Sequence, residues 1–131
     1  MQIYALRLTP GQDLKQEIIG FTAKRNIEAG AIISCLGSLS TACIRFAGQK
    51  AVASLQGPFE ILSVSGTLSE NGSHLHICLA DSQGKAIGGH LVDGCTIMTT
   101  AEVVLGKIPY LMFKRGHDDA TGYSELEVYR I

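Results

Sequence analysis

His74-Leu75-His76 and His90 bring three of the chain's four histidines into a span of seventeen residues. Successive side chains of an extended strand point to opposite faces. On a strand, His74, His76 and Cys78 therefore share one face, and Leu75, Ile77 and Leu79 share the other. The second face suits burial, whereas the first suits coordination or hydrogen bonding. Three neutral imidazoles with an open fourth position match Zn²⁺, at Zn–N distances of ~2.0–2.1 Å, and Ni²⁺, Cu²⁺ or Fe²⁺ accept the same donors. The plainer alternative is that these histidines line a polar sheet face or a subunit interface.

Turn chemistry decides whether the three can meet. Asn71-Gly72 is a strong signal for a two-residue type I′ hairpin. That turn sets Thr67 opposite His76, Ser65 opposite Cys78, Val64 opposite Leu79 and Leu68 opposite Leu75. Ser82-Gln83-Gly84 reads as a three-residue loop closed by a left-handed glycine. Asp81 then faces Lys85, His76 faces His90, Ile77 faces Gly89 and Leu75 faces Leu91. Neighbours on one sheet face lie within ~5–8 Å at Cβ, close enough for three imidazoles to converge on one divalent cation. Gly88-Gly89 before His90 marks a close backbone approach.

Around this triad, Thr67, Cys78 and Glu102 are candidates for a supporting shell. Each has a blander role available: Cys78 as a small core residue, Glu102 as an exposed sheet carboxylate. If the chain is an enzyme, metal-activated water with Glu102 or Glu60 as general base is the chemistry on offer. His117, beside Asp118 and Asp119, reads as solvated, and Lys114-Arg115 reads as exposed or as a contact for an anion. No GxGxxG, Walker loop or serine-nucleophile elbow is present, and no catalytic residue is assigned.

The elements that must hold these residues are mostly strands. Gln2 to Thr9 alternates, and Pro10-Gly11 breaks it. Asp13 is an N-cap with Gln16 three residues on, and Leu14, Ile18 and Phe21 follow at helical spacing. The helix is expected over about 13–28, with Gly30 as its stop. Strands are expected over Ala31–Leu39, Ala42–Phe46, Ala51–Leu55, Phe59–Ser69, Cys95–Leu105 and Tyr123–Ile131. In the fourth of these, Leu62, Val64 and Leu68 share the apolar face. Lys107–Thr121 reads as a long excursion. The class is α+β: one domain, a largely antiparallel sheet with one main helix.

The 131 residues suffice for a core without metal or disulfide staples. With four cysteines without CxxC spacing and no leader seen before the first strand, free thiols in a reducing cytoplasm are expected. No apolar run reaches the ~20 residues of a membrane span. The net charge of −1 argues against a broad basic face for nucleic acid. At 46% hydrophobic, the chain has apolar surface to spare for a subunit interface.

Gly57-Pro58-Phe59-Glu60-Ile61-Leu62-Ser63-Val64-Ser65-Gly66 is similar to the G-x-F-E-I-L-S-x-S-G segment of the plant and prokaryote conserved domain (PPC or PCC). The stretches His74–Asp81, Gly88–Leu91 and Thr99–Leu105 resemble its bacterial form, as do Gly37-Ser38, Thr121-Gly122 and Glu125-Leu126. The resemblance spans essentially the whole chain. It implies an α+β homotrimer and a three-histidine metal unit matching His74, His76 and His90. Plant members join the domain to AT-hooks in nuclear DNA-binding proteins, and stand-alone prokaryotic members are described as candidate DNA-binding proteins. This chain has no R-G-R-P hook. The resemblance therefore implies a regulatory homotrimer that meets DNA or DNA-binding proteins, with the metal-dependent enzyme and the purely structural trimer as alternatives.

Overall fold

Eight strands and one helix follow in the order β1 (Gln2–Leu8), α1 (Leu14–Lys24), β2 (Ala29–Arg45), β3 (Ala53–Ser69), β4 (Gly72–Ala80), β5 (Ala86–Leu91), β6 (Thr96–Lys107), β7 (Leu111–His117) and β8 (Ser124–Arg130). The computed structural model describes residues 1–131. Every pairing is antiparallel. Six strands form one sheet in the order β1-β6-β2-β3-β4-β5, and β7-β8 form a separate ribbon. The result is a single, mostly antiparallel β domain with one short helix.

Asp13 caps α1 as expected. Its Oδ1 accepts from the Gln16 backbone N–H at 3.0 Å, while its Oδ2 accepts from the Gly94 N–H at 2.7 Å, tying the helix start to the loop before β6. Leu14 and Ile18 are fully buried beneath it. The helix ends earlier than the expected residue 28. Asn26 takes a left-handed φ of 51°, its N–H donates to the Ala23 carbonyl, and the Ile27 N–H donates to the Thr22 carbonyl. That is the Schellman arrangement, with asparagine where glycine is usual. Gly30 is thus no helix stop; it pairs within β2.

Two expected breaks in the sheet are bulges inside long strands. The register between β2 and β3 slips between the Leu39–Phe59 and Thr41–Gln56 pairs, so Gly57-Pro58 sits within β3. Proline has no N–H to offer a ladder and is tolerated at such an irregularity. A second slip, between Ile61 and Ser63, turns Leu62 outward; it is exposed, whereas Ile61, Val64 and Leu68 are buried. The expected grouping of Leu62 with Val64 and Leu68 therefore fails at Leu62.

The expected excursion at 107–121 contains β7. Its Phe113 is buried, and the Phe113 N–H donates to the Glu28 carbonyl at 2.9 Å. Further along, Asn71 clamps the Arg115 backbone: Oδ1 accepts its N–H at 2.9 Å and Nδ2 donates to its carbonyl at 3.1 Å. This use of Asn71 accompanies a different β3-β4 turn. Ser69 pairs with Gly72, so Glu70-Asn71 is the loop, and Asn71 lacks the positive φ of a type I′ turn. The register moves by two residues from that expected. An even shift leaves every side chain on its intended face.

The core seals where β5 returns to β2. Ile44 pairs with Leu91 and Arg45 with His90, so β2, β3, β4 and β5 form a closed ring. Ile44 and Leu91 point inward and are buried, as are Leu75, Ile77 and Leu79 of β4. Gly89 lies at the seam: a Cβ there would stand 2.6 Å from the Arg45 carbonyl oxygen and 2.8 Å from Ile44 Cγ2. Gly89→Val should destabilise the domain by about 1–3 kcal/mol or more, because the intruding carbons meet backbone. Gly20→Ala, in the exposed helix interior with nothing within 4 Å, should instead stabilise by about 0.5–1 kcal/mol. Equilibrium urea unfolding of both variants checks the pair; equal effects would contradict the seam.

Candidate metal centre

The buried side of β4 dictates its outer side. With Leu75, Ile77 and Leu79 held inward, His74 and His76 must face out. The β4-β5 loop performs as expected: the Asp81 N–H donates to the Lys85 carbonyl, and Gly84 has φ 79°. Asp81 Oδ1 also accepts the N–H groups of Gln83 and Lys85, both at 2.9 Å. This sets His76 directly opposite His90 and Ile77 opposite Gly89.

The three imidazoles converge. His74 Nε2 and His76 Nε2 are 3.2 Å apart, and one ligand nitrogen from each of the three histidines lies within 4.8 Å of the others. Ring centroids are separated by 4.8 Å (His74–His76), 5.2 Å (His74–His90) and 4.6 Å (His76–His90). A tetrahedral Zn²⁺ with Zn–N of ~2.0–2.1 Å spaces its donors by roughly 3.3–3.4 Å. The closest pair already fits that spacing, and small imidazole rotations bring in the third. Burial, then the neighbouring charges of His76 and Arg115, hold the His74 pKa below its usual 6.5, with Glu125 opposing. Burial, then Arg45, does the same to His90. Both rings are thus biased toward the neutral form that binds metal.

The supporting residues fall differently. Thr67 opposes His74, where the type I′ register put it opposite His76, and its hydroxyl accepts from Arg115 Nη2 at 2.8 Å. Cys78 stands between Ser63 and Gly88, on the histidine face but outside the converging group. Glu102 lies on β6 between Arg7 and Leu36, and Glu60 on β3 between Ser38 and Ala80, so neither is a strand neighbour of a histidine. The carboxylate that does bear on His74 is Glu125, from β8. Arg45, Arg115 and Glu125 were not singled out from the sequence as part of this site. Arg45 arrives through ring closure and the other two through the β7-β8 ribbon, both long-range pairings without a local signal. His117 keeps its solvated place, 3.1 Å from Asp119 Oδ1.

His74 and His90 border an open cleft of about 1140 Å³, also lined by Lys15, Arg45, Lys50, Arg115 and Glu125. A smaller pocket of about 300 Å³ between α1 and the β3-β4 turn shares Gly72 and Ser73 with it and contains no histidine. Chemically, the arrangement offers three nitrogen donors on one side of a cation and leaves the cleft side accessible.

A mostly antiparallel domain carrying three histidines on the outer face of a hairpin is the class that fold and site define. The chain belongs to the Plants and Prokaryotes Conserved (PCC) domain family, whose profile matches residues 1–109. It is 47% identical over its full length to part of the bifunctional protein GlmU of a Synechococcus strain, and spans about 21% of that protein. The AT-hook motif nuclear-localized protein 20 of Arabidopsis thaliana is 29% identical over 121 residues, which cover 88% of this chain and 43% of that one. Among solved structures, a hypothetical protein of Salmonella enterica superposes with a TM-score of 0.96 at 42% identity, covering 98% of this chain and 94% of that one. A metal-containing protein of Archaeoglobus fulgidus superposes with a TM-score of 0.79 at 29% identity, covering 95% and 92%.

The lowered pKa values of His74 and His90 have a consequence for the metal-free chain. The unfolded chain takes up these protons near pH 6.5, whereas the folded chain takes them up only at lower pH. Stability should therefore be intact above pH 6.5 and be lost as pH falls from there through the lowered folded values. Thermal unfolding in the presence of chelator, compared with a His74→Gln/His90→Gln variant, checks this. A slope identical in the variant would show that other groups are responsible.

Proposed function

We propose that the chain is a metal-binding PCC-domain protein that assembles as a homotrimer and serves a DNA-associated regulatory role. The observation that carries this reading is the convergence of His74, His76 and His90 on one face, with ligand atoms within 4.8 Å of one another. The donor set suits Zn²⁺ first, and the metal-containing Archaeoglobus relative supports a cation here. A metal held by His74, His76 and His90 would supply a Lewis-acidic centre beside the cleft.

Self-association is supported by apolar side chains left on the surface. Ile33 and Leu36 of β2, Leu62 of β3 and Met98 of β6 are between 41% and 54% exposed, more apolar area than a lone subunit benefits from showing. No helix is long and apolar enough to cross a membrane. A reducing cytoplasm is the compartment this reading assigns, and all four cysteines are free. Burial pushes the Cys35 thiol up to about 12 and Cys95 to about 11, which keeps both unreactive.

Native mass spectrometry of untagged, zinc-equilibrated chain should show three copies with one ion per copy. His76→Ala should retain the assembly and lose metal affinity by more than about a hundredfold. A monomer, or unchanged metal content in the variant, sinks the corresponding half of the proposal.

The DNA association rests on the plant relatives, which are named for an AT-hook that this chain does not contain. With a net charge of −1, the domain meets DNA chiefly through a partner. Direct binding to a mixed-sequence duplex should accordingly be weaker than about 10 µM at physiological salt, within or below the non-specific range. Tight duplex binding with a steep salt dependence would replace the partner-mediated reading by a direct one.

A further inference from the structure

The outer face around the histidines has an order that the metal reading leaves unused. Across the ring, Arg45, His90, His76 and Ser65 lie in one row, each the strand partner of the next. One row along, His74 opposes Thr67, and the Thr67 hydroxyl accepts from Arg115. Arg45 and Arg115 thus approach the histidines from opposite sides, one from β2 and one from β7.

Arg45 and Arg115 line the cleft together with Lys15 and Lys50, against the single carboxylate of Glu125. The whole chain carries 11 Lys and Arg against 12 Asp and Glu, so four cations to one acid is a strong local excess. Two buried polar atoms in the same lining have no hydrogen-bond partner: Arg115 Nε and Ser73 Oγ. Buried polar groups in folded proteins are nearly always paired, so each exception asks what it is kept for. The Arg115 backbone is held at both ends by Asn71 and one Nη by Thr67, which fixes where the guanidinium stands.

We propose that this cleft binds a small organic oxyanion, a carboxylate or phosphate ester held by Arg45 and Arg115 beside the histidines. A guanidinium presents paired N–H donors in the geometry of such a group, and the two lysines add attraction without demanding orientation. A concave site of this size is on the scale of small-molecule sites, and a duplex would need a broader basic face. Arg115 and Glu125 belong to the β7-β8 ribbon, outside the residues 1–109 that match the family profile. The ribbon therefore contributes Arg115 and Glu125 to the cleft, while the profile-matched part supplies the histidines and Arg45. The metal reading enters only as an additional contact for the anion, and the arginine site stands without it.

The test follows the arginine Nε–H signals of Arg45 and Arg115 by NMR in the full chain, metal-free and zinc-loaded. Propionate and methylphosphonate are the probes, and propionamide is the uncharged control. Saturable shifts with an apparent Kd of about 1 mM or tighter are expected for one of the anions and none for the amide. Arg45→Gln, a partly exposed position that spares the Asn71 clamp, should weaken binding about tenfold. Arg115→Gln serves as the second variant if its amide fingerprint shows it folded.

Silent arginines in both forms, or an equal response to propionamide, overturn the anion site. So does a duplex that shifts these signals while the small anions do not. Zinc uptake on the same samples separates the two readings. Zinc bound with silent arginines overturns the anion site alone, whereas arginine shifts in a chain that takes no zinc sustain the anion site and overturn the metal reading.

Discussion

β5 is only six residues long, and it must pair with β4 on one side and touch β2 on the other. That double pairing closes the ring, and the rest of the site follows from it. The inner pair, Ile44 and Leu91, buries apolar surface; the outer pair, Arg45 and His90, is carried along because alternate side chains of a strand cannot choose their face independently. A hydrophobic requirement inside thus sets a charged geometry outside. The space at the seam is so tight that Gly89 has no room for a Cβ beside the Arg45 carbonyl.

The same coupling explains which features were legible in the sequence. The histidine convergence was legible because every step was local: alternation along β4, a three-residue loop with Gly84 at the left-handed position, and a period of two on β5. The β3-β4 turn was misread because Asn71 works for a strand that begins forty residues later; its side chain pairs with the Arg115 backbone instead of shaping a type I′ turn. Face assignments on β3 below the turn survived, since the error was two residues, and they failed at Leu62, where a bulge breaks the alternation. Bulges at Gly57-Pro58 and the asparagine-capped end of α1 follow the same logic. Tertiary contacts convert residues that read as stops into irregularities within an element, or supply a stop one did not expect.

The charges around the triad were the least legible part. Neither Arg45 nor Glu125 is near the three histidines in sequence, and Glu102 lies between Arg7 and Leu36 on β6, a strand that pairs with neither β4 nor β5. Polar residues on exposed strand faces carry no periodic signal that distinguishes a site from a solvated surface. Only closure of the ring and docking of the β7-β8 ribbon assign them a place.

The net charge of the chain therefore says little about the charge a ligand meets. Summed over 131 residues it is −1, yet within one cleft four cations face one carboxylate. A divalent cation at the histidines would add to that positive field, not offset it. Three neutral imidazoles contribute no countercharge, and Glu125 alone cannot balance a dication together with Arg45, Arg115 and two lysines. Filling the metal position would thus leave the open cleft short of negative charge, an imbalance that solvent screens in part. An anion entering between the arginines would reduce it. The proposed metal and anion sites would in this sense form one electrostatic unit, with inward-facing Leu75, Ile77 and Leu79 of β4 holding the histidines in register.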